Sequence, residues 1–140
     1  LIGFPNMSRG NILQNDNSEN DLRIIILRAL GATTDNTVAT TVGGDFEIPI
    51  AGTITSIGAY VDTAGTTGTM TVDVNLNGTT IMTTNKLTID TGEKSTRTAA
   101  TAAVLTTTVL IAGDIITVDS DILHTTAAKG LSVRLTIRPS

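Results

Sequence analysis

Residues 69–84 read Thr69-Met70-Thr71-Val72-Asp73-Val74-Asn75-Leu76, then Asn77-Gly78, then Thr79-Thr80-Ile81-Met82-Thr83-Thr84. Met70, Val72, Val74 and Leu76 alternate with Thr71, Asp73 and Asn75. A period of two sends the first set to one face of a strand and the second set to the other. Asn-Gly is the favoured pair for a type I′ turn, which needs positive φ at both central residues and joins antiparallel strands. The stretch therefore predicts a hairpin with one wet face. It sets the fold class as all-β and says nothing about function.

Towards the C-terminus, Asn85 to Asp90 continues or restarts the second hairpin strand with Leu87 and Ile89. Ser95 to Leu110 is rich in Ala and Thr. Thr106, Thr107 and Thr108 oppose a helix there, and a strand is expected over 103–109. Ile115 to Ile122 reads as a strand with Ile116, Val118 and Ile122 on one face. Leu131 to Arg138 alternates again, with Leu131, Val133, Leu135 and Ile137 expected inside. Towards the N-terminus, Asp45 to Ile50 is expected to open the compact domain, at a sheet edge because Pro49 cannot donate to a ladder. Thr53 to Asp62 follows, its period broken near Gly58 in the manner of a bulge. Short strands between Gly-marked turns predict an antiparallel, jelly-roll-like β-sandwich of seven to eight strands over residues 45–140.

Residues 1–44 read differently. Residues 1–20 are polar, with Gly3, Pro5 and Gly10, and suggest an extended arm. Residues 21–31 suit either a helix, capped by Ser18 or Asn20 and stopped by Gly31, or a buried strand. Three consecutive β-branched residues, Ile24 to Ile26, favour the strand. This apolar element precedes a Gly/Thr-rich linker, Ala32 to Gly44. The segment is either an attachment element or the first core element. In the attachment reading, Ile24, Ile25, Ile26, Leu27 and Leu30 form the interface with a neighbour. Deleting residues 1–30 is then expected to leave a folded domain.

Composition narrows the function classes. The formal net charge is −4 and the pI about 4.7, with nine scattered Lys and Arg. Nucleic acid and anionic membranes call for clustered basic residues, so neither is expected as a partner. There are no cysteines, hence no disulfide or thiolate site. No apolar run approaches the roughly 20 residues that span a bilayer as a helix. Thr makes up about a fifth of the chain, far above ordinary usage. Phe4, Phe46 and Tyr60 are the only aromatics. A core of aliphatic side chains buries less area per residue, which favours burial against further copies.

Chemistry is sparse. His124, the single histidine, lies in an expected loop and reads as a surface residue. One histidine excludes a multi-histidine metal site. Asp119 and Asp121 point the same way from one strand and Asp114 opens it. The three are a candidate Ca²⁺ site, against the reading of a solvated face whose charges discourage edge pairing. No paired-carboxylate cleft with aromatic walls is evident. Gly65 to Gly68 lacks the Lys and helix of a phosphate loop. No enzyme activity and no cofactor are expected.

The runs Ile50-Ala51-Gly52-Thr53-Ile54, Asp62 to Gly68, Val72 to Thr79, Ala112-Gly113-Asp114 and Ala128 to Leu131 resemble the β domains of virion surface proteins of tailed bacteriophages. Head fibres, capsid decoration proteins and some tail-fibre modules contain such domains. The likeness covers about Asp45 to Arg138. It implies a jelly-roll-like sandwich, often trimeric, without catalysis, and an N-terminal segment that anchors it. The expectation is a structural protein at the virion surface, a homotrimer that contacts the major capsid protein or another virion protein. The alternative is a receptor- or glycan-binding module of a tail fibre, which an exposed Tyr60 would favour.

Overall fold

In the computed structural model, which describes residues 21–140, Asn77 and Gly78 take φ of 51° and 88°. The predicted turn therefore forms. It joins β4, Met70–Leu76, to β5, Thr79–Thr80. The other strands are β1, Arg23–Asp35; β2, Phe46–Glu47; β3, Gly52–Tyr60; β6, Leu87–Ile89; β7, Val109–Leu110; β8, Ile115–Ile122; and β9, Lys129–Pro139.

Every strand pair is antiparallel, and the pairing is nested. β1 pairs β9, β2 pairs β8, β3 pairs β7, and β4 pairs β5 across the Asn-Gly turn. The chain behaves as one long hairpin, closed at Asn77-Gly78 and folded over on itself. Folding it over gives two sheets, ordered β1-β9-β3-β7 and β2-β8-β4-β5, with β6 beside the first half of β4. This is the double-sheet jelly-roll arrangement of an all-β sandwich.

The inner faces supply the core. Met70, Val72 and Val74 of β4 meet Ile116 and Val118 of β8 in one sheet. Leu131, Val133, Leu135 and Ile137 of β9 lie in the other. All nine are buried, as the alternation predicts.

The differences from the sequence reading have physical causes. β5 stops after two residues because Ile81 and Met82 are consecutive and both buried. A period of two cannot bury two neighbours, so the chain leaves the ladder and resumes it at β6. Residues 45–140 thus hold eight strands, β2 to β9, within the expected seven to eight, and β1 makes nine among the described residues. The strand expected at 103–109 shrinks to β7. Before it, Val104 N–H donates to Asn85 O, and Thr106 N–H and Oγ1 donate to Ile81 O. This irregular run is thus bonded to the 81–85 segment. Ile122 does not share the buried face. It sits at the end of β8, past a register shift, and is exposed.

The largest difference concerns the N-terminal segment. Residues 21–31 contribute a strand, not a helix, and β1 runs in register with β9 from Arg23↔Ile137 to Arg28↔Ser132. Leu27 and Ala29 are core residues. The packed sheets therefore start at least as early as Arg23, and the division at residue 44 coincides with no boundary between them. The expected polar arm, residues 1–20, lies outside the described residues.

Candidate functional site

β3 is irregular where it matters. A register shift between Ile54 and Ser56 inserts an extra residue against β9. Past it, Ser56 lies opposite Thr136 and Gly58 opposite Arg134. The sequence reading puts the bulge at Gly58; the structure puts it two to four residues earlier. Gly58 has another role. A Cβ there would come within 2.1 Å of an Arg134 guanidinium nitrogen and 2.7 Å of its Cζ. The absent side chain lets the guanidinium lie against the strand.

Beyond β3, a single 3-10 turn, Thr96–Thr98, covers the edge that β7 leaves open. Ser95 caps it, its Oγ accepting from Arg97 N–H at 3.2 Å. Ser95 also bridges Tyr60. Thr96 Oγ1 accepts from Ala59 N–H at 3.1 Å. That bond uses an acceptor lone pair, so the Thr96 hydroxyl proton stays available.

Together these parts bound a cleft of about 460 Å³ on the outer face of the β1-β9-β3-β7 sheet. Arg134, Arg97, Thr96, Ser56 and Thr136 supply its polar groups, and Ile24 and Ile57 its apolar ones. Among the described residues the ion pairs engage Arg23, Arg28, Lys86 and Lys129. Neither Arg97 nor Arg134 has a carboxylate partner among them.

The residues singled out from sequence fall elsewhere. Asp114, Asp119 and Asp121 are not brought together. Asp114 Oδ2 accepts from Ile111 N–H at 2.8 Å and Oδ1 from Asn77 Nδ2 at 3.0 Å. The Ile111 N–H first, and Asn77 second, hold its carboxyl below the usual range. Asp119 accepts from Thr41 N–H and Asn75 Nδ2. Asp121 pairs with Lys86 at 2.9 Å. Among the described residues no group of three or more carboxylates or histidines is placed to hold a metal ion.

Sequence reading missed Asp73. It is buried on the outward side of β4, where Lys86 Nζ lies 3.2 Å from Oδ2 and Thr80 Oγ1 donates to Oδ1. The Asp121 hydrogen bond, opposed by partial burial and helped by Asp73, raises the Lys86 pKa above the ordinary lysine value. His124 is in a loop as expected, but it is buried, not on the surface. Its Nε2 lies 3.3 Å from Asp90 O, and its ring packs on the Gly65 backbone, where a Cβ would come within 2.2 Å. Among the described residues no nucleophile is hydrogen-bonded to it.

The proposed interface residues divide. Ile24 and Ile26 face outward and are 65% and 67% exposed; Leu27 is 7% exposed and belongs to the core. Ile25 and Leu30 are half-buried against that core. The five therefore form no single surface. Tyr60 is exposed on the outer face of β3.

In comparison with known proteins, the chain matches no family model, no curated protein and no solved structure.

Proposed function

We propose that the protein is a structural, self-associating β-sandwich of a virion surface, a head-fibre or capsid-decoration domain of the tailed-phage type. The observation that carries this reading is β1. Among the described residues it is the end strand of its sheet, and its first half leaves Ile24 and Ile26 exposed. A long edge strand with aliphatic side chains is a template for pairing unless something covers it. A second copy, in a homotrimer, is the cover proposed here; the major capsid protein or another virion protein is the partner at the attachment end. The phage assignment itself rests on the resemblance of the turn and strand motifs.

Sedimentation velocity at micromolar concentration tests the association. A trimer that dissociates on Ile24→Asn/Ile26→Asn supports it, and a wild-type monomer overturns it. A second reading, a receptor- or glycan-binding module of a tail fibre, is favoured by the arginine cleft beside β3.

A further inference from the structure

We infer that the cleft between β9, β3 and the 96–98 turn binds an acidic sugar, taking its carboxylate on Arg134 and Arg97. The inference rests on the binding-module reading of that cleft and names its ligand class.

Charge comes first. A guanidinium presents paired N–H donors that match a carboxylate in two parallel bonds. Arg134 is half-buried and seated over Gly58, so less rotamer freedom remains to be lost on binding. Arg97 stands on the exposed turn at the rim. Two cationic groups without carboxylate partners among the described residues, on a chain of net charge −4, mark this cleft out for an anion.

The rest of the lining argues for a sugar. The Ser56, Thr96 and Thr136 hydroxyls can each donate and accept, as a polyol requires. Ile24, 65% exposed on the outer face, offers aliphatic surface for the C–H face of a ring. A volume of about 460 Å³ lies within the usual range for small-ligand sites. A bare inorganic anion would leave the hydroxyls and the aliphatic wall unused.

The test is a titration of the full chain, followed by amide chemical shifts at low salt. The probes are D-glucuronate, D-glucose as the neutral counterpart, and acetate as the bare carboxylate. Glucuronate is expected to shift amides of residues 56–58, 96–97 and 134–136, and to bind about tenfold or more tightly than either control. Arg134→Gln and Gly58→Ala are each expected to weaken it about tenfold, the second by occupying the guanidinium's seat. Arg138→Gln, on the same face outside the cleft, is expected to change nothing. Should Arg134→Gln not fold, Arg97→Gln on the exposed turn serves in its place, with a similar loss expected.

Glucose or acetate binding as tightly as glucuronate in this cleft overturns the acidic-sugar assignment while sparing a binding module. Glucuronate binding that survives both Arg134→Gln and Arg97→Gln overturns it too. No shift with any of the three probes overturns the binding-module reading along with it.

Discussion

The two sheets of the sandwich present opposite outer faces. The β2-β8-β4 face carries Thr71, Asp73, Asn75, Thr117, Asp119 and Asp121. Asp73, Asp119 and Asp121 are answered internally, by Lys86, Thr80, Asn75 and the Thr41 N–H. The β1-β9-β3-β7 face carries exposed Ile24, Ile26, Tyr60 and Val109 among Arg134 and Arg138. There Arg28 pairs with Asp62, but Arg134 and Arg138 find no carboxylate among the described residues, and the aliphatic groups stay exposed. The difference separates what holds the fold from what is left over for a partner. A polar face whose groups satisfy one another offers little to a ligand. A face with unmet cations and exposed aliphatics does.

The largest effect should come from removing the strand that borders the second face. Deleting residues 1–30 would take Leu27 and Ala29 from the core and bare the edge of β9. Cutting one buried Leu to Ala already costs about 2–5 kcal/mol, against a total stability of about 5–15 kcal/mol. The shortened chain is expected to lose its cooperative urea transition. This reverses the sequence-based expectation that it folds. Deleting residues 1–20 leaves all the described strands in place and should keep the transition. If the 1–30 deletion melts like the full chain, β1 is an accessory to the sandwich.

Breaking the internal pairing of the polar face should rank next. Lys86→Met strands Asp73, whose side chain is 7% exposed, with Thr80 as its remaining side-chain partner. Losing a partner from a buried charge costs about 3–5 kcal/mol. Lys86 is itself a third exposed, and solvent screening should cut the loss to about 1–2 kcal/mol. Because the pair raises the Lys86 pKa, its contribution is full below the ordinary lysine value and fades as pH rises through the folded one. The urea midpoints of the wild type and Lys86→Met should therefore converge in strong alkali. A constant gap would show that packing of the lysine stem, not its charge, carries the effect.

The contrast between the faces was only half legible in the sequence. Alternation in 70–76 and 131–137 placed the core side chains, because one buried face imposes a strict period of two. The Asn-Gly turn located the tip of the nested hairpin. β1 was ambiguous because Ile24, Ile25 and Ile26 follow one another without alternation. Only the register with β9 assigns Ile24 and Ile26 to solvent and Leu27 to the core. The arginine cleft left a faint trace, Gly58 inside a strand, which fits a bulge as well as a close approach. Its other members come from residues 24, 56, 96–97 and 134–136, brought together by topology alone. Asp73 looked like any outward strand residue, since Thr80 covers it from β5 and Lys86 from the irregular 81–86 segment.

On the other face, Ile24→Asn/Ile26→Asn should barely alter the protomer. Exposed positions usually move stability by less than about 0.5 kcal/mol. Unchanged urea unfolding in the double variant, with association lost, would assign these side chains to a partner. A large drop in protomer stability would assign them to the fold and erase the distinction between the faces.

The smallest expected effect belongs to Asp114, which ties the turn before β8 to the tip of the long hairpin. It accepts from Ile111 N–H and from Asn77 Nδ2, while Asn77 Oδ1 accepts from Ile115 N–H. Both bonds to the carboxylate favour its charged form, so the folded pKa lies below the ordinary 3.8. A depressed carboxyl contributes stability above the unfolded pKa and loses it as pH falls through the folded one. The difference in urea midpoint between wild type and Asp114→Ala should thus be flat from pH 7 down to about pH 5, then shrink through and below 3.8. Arg134→Gln supplies the opposite case. Its charge has no carboxylate partner among the described residues, so its removal should shift the midpoint little at any pH. A gap for Asp114→Ala that persists unchanged into strong acid would mean the turn is held by its backbone bonds alone, and that carboxylates secure the polar face only where Lys86 reaches them.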